Sequence, residues 1–196
     1  GYRFLNQLAE EDPETAEAVR RLTEGRGPVP LTSVAPSTTC VALTTLWTGL
    51  NPASHGVLGT HAWLREFSML ANLLFWKPTF GNLRTDTFAD WGIPFTQIAP
   101  ARTLPAYLSE AGVPTHLLLQ KSYAGSGVSN LWHRDVPHTH IHMAFGDFPL
   151  RLADVLRHTA GQRCYVHAYW PAVDTLAHAY GTNSEYARIE TLRTLQ

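Results

Sequence analysis

The chain has 196 residues, of which 44% are hydrophobic and 16% charged, enough apolar side chain for one domain with a sizeable core and too little charge for a disordered segment. With 15 Lys and Arg against 16 Asp and Glu, the formal net charge of -1 gives no electrostatic reason to expect a nucleic-acid patch or an anionic-membrane surface. No apolar run reaches the length of a membrane span, and Cys40 and Cys164 form no CxxC pair, which excludes zinc-ribbon and thioredoxin-like patterns and reads both as buried small hydrophobes.

In chain order, residues 1–25 carry apolar side chains at helical spacing, with Asp12-Pro13 a natural break into two helices. Leu31–Ala35 is β-branched and apolar and predicts a strand. Pro36 then turns the chain, Ser37, Thr38 and Thr39 present three hydroxyls, and Cys40–Leu50 suits a buried helix stopped by Gly49 and Pro52. A strand, a sharp turn and a helix would present a hydroxyl at the carboxyl edge of a sheet, where open α/β sheets bind ligands, beside N–H groups that favour an anion. The plainer reading makes the hydroxyl a helix cap.

Residues 51–59 read as a loop. His61–Trp76 is rich in Trp, Phe, Leu and Met; it is too short to span a bilayer, so it reads as a core cover or a pocket wall. Lys77–Pro100 reads as loop, Thr103–Gly112 as a helix with Pro105 in its first turn, and Pro114–Gln120 as a strand. Lys121–Asn130 is a Gly/Ser loop that matches no phosphate-binding motif. His138–Phe145 predicts a strand whose alternation puts His138, His140 and His142 on one face. Two of them could share a metal ion, or the strand is a sheet edge with polar residues outward, the favoured reading. Asp147–Thr159 reads as a helix with Leu150, Leu152, Ala153, Val155 and Leu156 inward, Arg163–Tyr169 as a buried strand, and Ser184–Leu195 as a last helix. Alternating strands and helices predict an α/β fold, a three-layer α/β/α sandwich about a mainly parallel sheet, formed as a single domain over residues 1–196.

After the Arg163–Tyr169 strand, Asp174 and His178 stand four apart. On a helix that spacing shares a face, so one carboxylate oxygen and one imidazole nitrogen could reach the same cation at about 2 Å each. The same spacing also arises by accident on surface helices.

Two stretches carry a family resemblance. PSTTCVALTTLWTGLNPASHG resembles the nucleophile segment of the alkaline phosphatase superfamily, in particular its type I phosphodiesterase/nucleotide pyrophosphatase branch, where a Thr precedes an apolar helix ending in T-G-x-x-P-x-x-H-G. YWPAVDTLAHAYG resembles that family's metal segment, an Asp followed four residues later by His and then by Tyr-Gly. The resemblance implies that Thr39 is the nucleophile and a ligand of one metal, that Asp174 and His178 hold the other, and that both ions are divalent, zinc first among them. It implies a small phosphodiester or nucleotide substrate and a covalent phospho-enzyme intermediate.

Where the family carries an Asn that helps hold the phosphoryl oxygen, counting from Thr39 gives Thr60. The family also places a metal-binding Asp in an Asp-Gly turn before the first helix, and an Asp-His pair and a further His after the Asp174 segment. The sequence opens at Gly1-Tyr2 and ends at Gln196, so the expectation is an excerpt of a longer catalytic domain. The alternatives are a phosphomonoesterase of the same superfamily and a non-catalytic relative lacking part of the metal site. A sulfatase does not fit, because Val41-Ala42-Leu43 follows Cys40 where that family has Pro-Ser-Arg.

Overall fold

The structure is a computed structural model and describes residues 1–97, 101–125 and 127–195. Its elements are α1 (Tyr2–Glu11), α2 (Pro13–Leu22), α3 (Thr39–Thr48), α4 (Pro52–His55), β1 (His61–Leu64), β2 (Met69–Asn72), β3 (Lys77–Pro78), α5 (Thr87–Asp90), α6 (Leu104–Glu110), β4 (Thr115–Gln120), α7 (Ser129–Trp132), β5 (His138–His142), α8 (Phe148–His158), β6 (Tyr165–Ala168), α9 (Ala172–Tyr180) and α10 (Glu185–Leu195). They fall into two compact units, one made of Gly1–Thr32 with Trp170–Gln196 and one of Ser33–Tyr169. No helix among the described residues is long and apolar enough to cross a membrane.

In the first unit the Asp12-Pro13 break works as the sequence predicts. Asp12 caps α2, its Oδ2 accepting from the Thr15 N–H at 2.7 Å, and Pro13 takes the first helical position, where a missing N–H is harmless. Leu8, Ala18, Val19 and Ala187 are buried. The buried Glu190 accepts from the Trp170 indole N–H at 2.8 Å, which satisfies a carboxylate that burial would otherwise penalise.

The second unit holds a parallel sheet in the order β5-β4-β6. Its register pairs His116 with His138, Leu118 with His140 and Gln120 with His142 on one side of β4, and Thr115 with Tyr165 and Leu117 with His167 on the other. Partners in a parallel register share a face. Leu117 and Leu119 therefore look into a core with Cys40, Val41, Trp47 and Trp132, while His116, His138, His140 and His142 look toward the opposite face, where His142 meets the Phe148 ring of α8 at 4.9 Å. With α3 behind one face and α8 behind the other, the unit is an α/β layered fold about a parallel sheet, as the alternation of elements predicts.

Helix α3 buries Cys40, Val41, Thr44, Trp47 and Thr48, the spacing of one helical face. Its buried threonines are tolerated because each hydroxyl bonds the carbonyl four residues back, Thr44 to Cys40 at 2.6 Å and Thr48 to Thr44 at 2.7 Å. The Thr44 Oγ1 in turn accepts from the Trp132 indole at 3.0 Å. Gly49 ends the helix at φ 71°, a left-handed conformation that disfavours a side chain.

Several expectations need correction. Leu31–Ala35 is not a strand: it joins no ladder among the described residues, and Leu31 is 86% exposed. Apolar, β-branched composition marks a segment that suits a pleated, half-buried surface and does not by itself supply a hydrogen-bonding partner. His61–Trp76, read as a core cover or a pocket wall with no element assigned to it, forms with the residues after it an antiparallel β1-β2-β3 meander. Leu64, Ala71, Leu73 and Trp76 face inward, and Trp63 pairs with Leu70 on the outer side. Lys77–Pro100 contains β3 and α5, and residues 51–59 contain α4; the parts of the loop expectations on residues 98–100 and on Ser126 lie outside the described residues. Leu150 and Leu156 point outward, 65% and 52% exposed, because the α8 face turned to the sheet centres on Val155. Cys164 is half-buried rather than buried.

Candidate functional site

Thr39 is the first residue of α3, with Thr38 in the extended N-cap conformation before it. The first intrahelical bond is Ala42 N–H to Thr38 O at 2.9 Å, so the N–H groups of Thr39, Cys40 and Val41 lie ahead of any intrahelical acceptor and form the positive end of the helix. The Thr39 side chain is exposed and borders a cavity of ≈ 60 Å³ lined also by Trp47, Tyr123, His133, His167 and Tyr169. Tyr123 and Tyr169 lie just beyond the carboxyl ends of β4 and β6, with the Tyr169 N–H still bonded to Leu118 O at 2.9 Å. The cavity thus opens at the carboxyl edge of the sheet, the expected position for a ligand in this class of fold. The hydroxyl reaches that edge from the helix start alone, without the strand expected before it.

Neither a cap nor a neighbour occupies the Thr38 hydroxyl. Thr38 makes no side-chain cap bond, and its buried Oγ1 has no hydrogen-bond partner among the described residues. The half-buried Thr60 sends its side chain to the Cys40 thiol, one residue along from Thr39. That thiol is pushed up to about 11 by burial, so it stays protonated at neutral pH and is no nucleophile.

The T-G-x-x-P-x-x-H-G ending resolves into packing. Asn51 caps α4 through a 3.0 Å bond from the Ser54 N–H, and Pro52 starts it. His55 is buried. Its Nδ1 accepts from the Val57 N–H at 3.1 Å, which leaves the proton on Nε2, and Nε2 donates to Thr45 Oγ1 at 3.0 Å. The ring ties the segment after α4 back to α3, and burial lowers its pKa, which keeps it neutral.

Inside the cavity, Trp47 lies between two imidazoles, 4.9 Å from the His133 ring and 4.7 Å from the His167 ring. Burial, and then the proximity of His167, lowers the pKa of His133 to about 4; burial lowers that of His167. Both are neutral at neutral pH, so the wall beside Thr39 is apolar and aromatic with two neutral hydrogen-bonding rings. Composition does not reveal these residues. The alternation of Tyr165, His167 and Tyr169 along β6 is the signal that could have, since it aligns all three on the α3 face.

Asp174 and His178 share a face of α9, Oδ1 and Nε2 3.7 Å apart, with side chains 68% and 78% exposed. The oxygen and nitrogen donors are of the right kind and spacing to grip one divalent cation as a two-ligand half-site. Thr39 and Thr60 belong to the Ser33–Tyr169 unit and Asp174 and His178 to the other, and each pair is a feature of its own unit. Among the described residues no group of three or more His, Cys, Asp or Glu side chains stands ready to hold a metal.

The β5 histidines are part of that result. His138 is exposed, as an edge strand predicts, but His142 is fully buried and corrects the expectation of an outward polar face. His140 bonds a residue the strand pattern could not anticipate, with 3.1 Å between its Nε2 and His116 Nδ1. Those two rings lie 11° from parallel, and the His138 ring stacks on His116 at 4.5 Å.

A profile of the family described as type I phosphodiesterase / nucleotide pyrophosphatase matches residues 4–195, nearly the whole chain. Curated proteins give no significant sequence match.

Proposed function

The chain belongs to the type I phosphodiesterase/nucleotide pyrophosphatase family, within the alkaline phosphatase superfamily and thus among the phosphoric ester hydrolases, and on that premise we propose that it cleaves a small phosphodiester or nucleotide through Thr39. The Thr39 Oγ attacks phosphorus and gives up its proton as the new O–P bond forms. The bond to the leaving alcohol or nucleotide breaks, and the departing oxygen takes up a proton. Water then hydrolyses the phosphothreonine ester and restores the hydroxyl.

The observation that carries the reading is the placement of the Thr39 hydroxyl at the amino end of α3 on a cavity at the sheet's carboxyl edge. The free N–H groups there suit the charge that accumulates on the non-bridging oxygens. Thr60, held on the neighbouring Cys40, is the side chain we assign to orienting one of those oxygens. The neutral, aromatic wall of Trp47, Tyr123 and Tyr169 accommodates the uncharged part of the ester and excludes water.

The family is generally metal-dependent. Asp174 and His178 are the residues we assign to one divalent cation and Thr39 to a second, zinc being the first candidate for both. An ion bound at Thr39 would lower the pKa of the attacking hydroxyl.

The test is hydrolysis of a nitrophenyl phosphodiester, compared with a nitrophenyl phosphomonoester, by wild type, Thr39→Ser and Thr39→Ala, with acid-quenched protein analysed for phosphothreonine. The expected result is a phosphoryl group on Thr39 in wild type and a rate loss of several orders of magnitude in Thr39→Ala. Full activity in Thr39→Ala would return Thr39 to the role of a helix start. A preference for the monoester would move the activity to a phosphomonoesterase.

A further inference from the structure

We propose that Asp86 is a positioning residue for the cavity at Thr39, fixing the segment that supplies two of the cavity's walls. The proposal rests on the assignment of that cavity as the reaction site. Two stretches of chain meet at Asp86. Its own N–H donates to Phe75 O at 2.8 Å, and its Oδ1 accepts from the Gly127 N–H at 2.7 Å. The neighbouring Val128 N–H reaches Leu74 O at 3.3 Å. Leu74 lines the cavity, as do Tyr123 and Ser129 on either side of Gly127. One carboxylate therefore clamps the segment after β4 onto the end of the meander where both border the site.

The approach is too close for anything but glycine. Gly127 has φ 48°, and a Cβ there would lie 2.1 Å from Leu74 O. Asp86 is itself left-handed at φ 65°, a conformation that Asp and Asn adopt more readily than most side chains do. It is half-buried, and its carboxylate is the side chain that receives the Gly127 N–H. A surface loop held only by its own turns needs neither device.

These conformations supply clean variants. Asp86→Asn retains both the left-handed backbone and an oxygen acceptor. Asp86→Gly retains the backbone conformation and loses the acceptor. In the full-length enzyme with its native metal content, the expectation is a KM for the nitrophenyl phosphodiester near wild type in Asp86→Asn. In Asp86→Gly it rises about tenfold, the consequence of losing one hydrogen bond to a charged group, with kcat changed less. Tyr123→Ala is expected to raise KM in the wild-type background and to add little in Asp86→Gly, because both act through the same wall.

Hydrogen exchange of residues 121–129 gives a readout independent of turnover: faster in Asp86→Gly, unchanged in Asp86→Asn. If Asp86→Gly does not fold, Asp86→Ser, whose hydroxyl is too short to reach the Gly127 amide, takes its place. Wild-type KM in the acceptor-less variant overturns the proposal, as does full multiplicativity with Tyr123→Ala or unchanged exchange over 121–129. The Thr39 phosphorylation assay judges the nucleophile separately, so a negative result there leaves the clamp at Asp86 to stand or fall on its own measurements.

Discussion

Replacing His55 should damage the fold in a way that depends on which ring nitrogen the replacement imitates. The side chain is 3% exposed and Val57 is fully buried, so His55→Ala strands the Val57 N–H away from water and removes the Thr45 hydroxyl's partner. About 1 kcal/mol for the hydrogen bond lost by the Thr45 hydroxyl, together with about 2 kcal/mol for the Val57 donor left buried and unpaired, puts the loss near 3 kcal/mol. For a chain of this size that corresponds to roughly 6–12 °C in Tm. In His55→Asn the amide oxygen falls near the position of Nδ1 and keeps the Val57 bond, so the loss should be smaller, about 1 kcal/mol. His55→Gln imitates Nε2 instead and should behave more like alanine. Urea denaturation followed by tryptophan fluorescence measures all three. Equal destabilisation by Asn and Gln would refute the assigned tautomer, and an Ala variant within about 0.5 kcal/mol of wild type would refute the tie itself.

Acid should unfold the protein in a window set by its histidines. His55, His116, His133, His140 and His167 all have pKa values lowered in the folded chain, chiefly by burial. The unfolded chain takes up those protons first, so their contribution is present above about pH 6.5 and is lost as pH falls toward the folded values. For His133, with its folded value about 4, the loss is on the order of 3 kcal/mol across that window; stability measured by urea at pH 7 and pH 4.5 checks the sign. Trp76→Phe should cost about 1–2 kcal/mol in the same assay, since it removes the 2.8 Å indole bond to Ile93 O but leaves the ring among Phe88 and Phe95. Asp174→Ala should lower metal content by elemental analysis and should be partly rescued by excess zinc, whereas Thr39→Ala should leave the Asp174 half-site loaded.

What the sequence made legible is what local chemistry controls. Asp12-Pro13 announces a helix start wherever it falls, and the apolar spacing from Cys40 to Thr48 specifies a helix without reference to anything else. The parallel strands at Thr115–Gln120 and Tyr165–Ala168 were visible because each is an apolar run between turn signals. Leu31–Ala35 carries a similar signal and yet pairs with nothing among the described residues, although β5 and β6 each have a partner on one side only, because pairing depends on where the fold carries a segment and not on its composition. Thr39 and the Asp174–His178 pair are singled out by motif alone. The walls around Thr39 are not, since Trp47, Tyr123, His133 and Tyr169 come from four separate segments that only the fold assembles. The same holds for the contact between His116 and His140, which depends on strand order and register.

The placement of Trp47 between two titrating rings gives the protein a built-in optical gauge. A protonated imidazole withdraws excited-state energy from a neighbouring indole more effectively than a neutral one, and both rings flanking Trp47 are neutral near pH 7. The emission difference between wild type and Trp47→Phe therefore isolates a signal that dims as His133 and His167 take up protons. Anything entering the cavity beside Thr39 changes the surroundings of this same indole. Its spectrum would then report occupancy in real time, with no label and no turnover required.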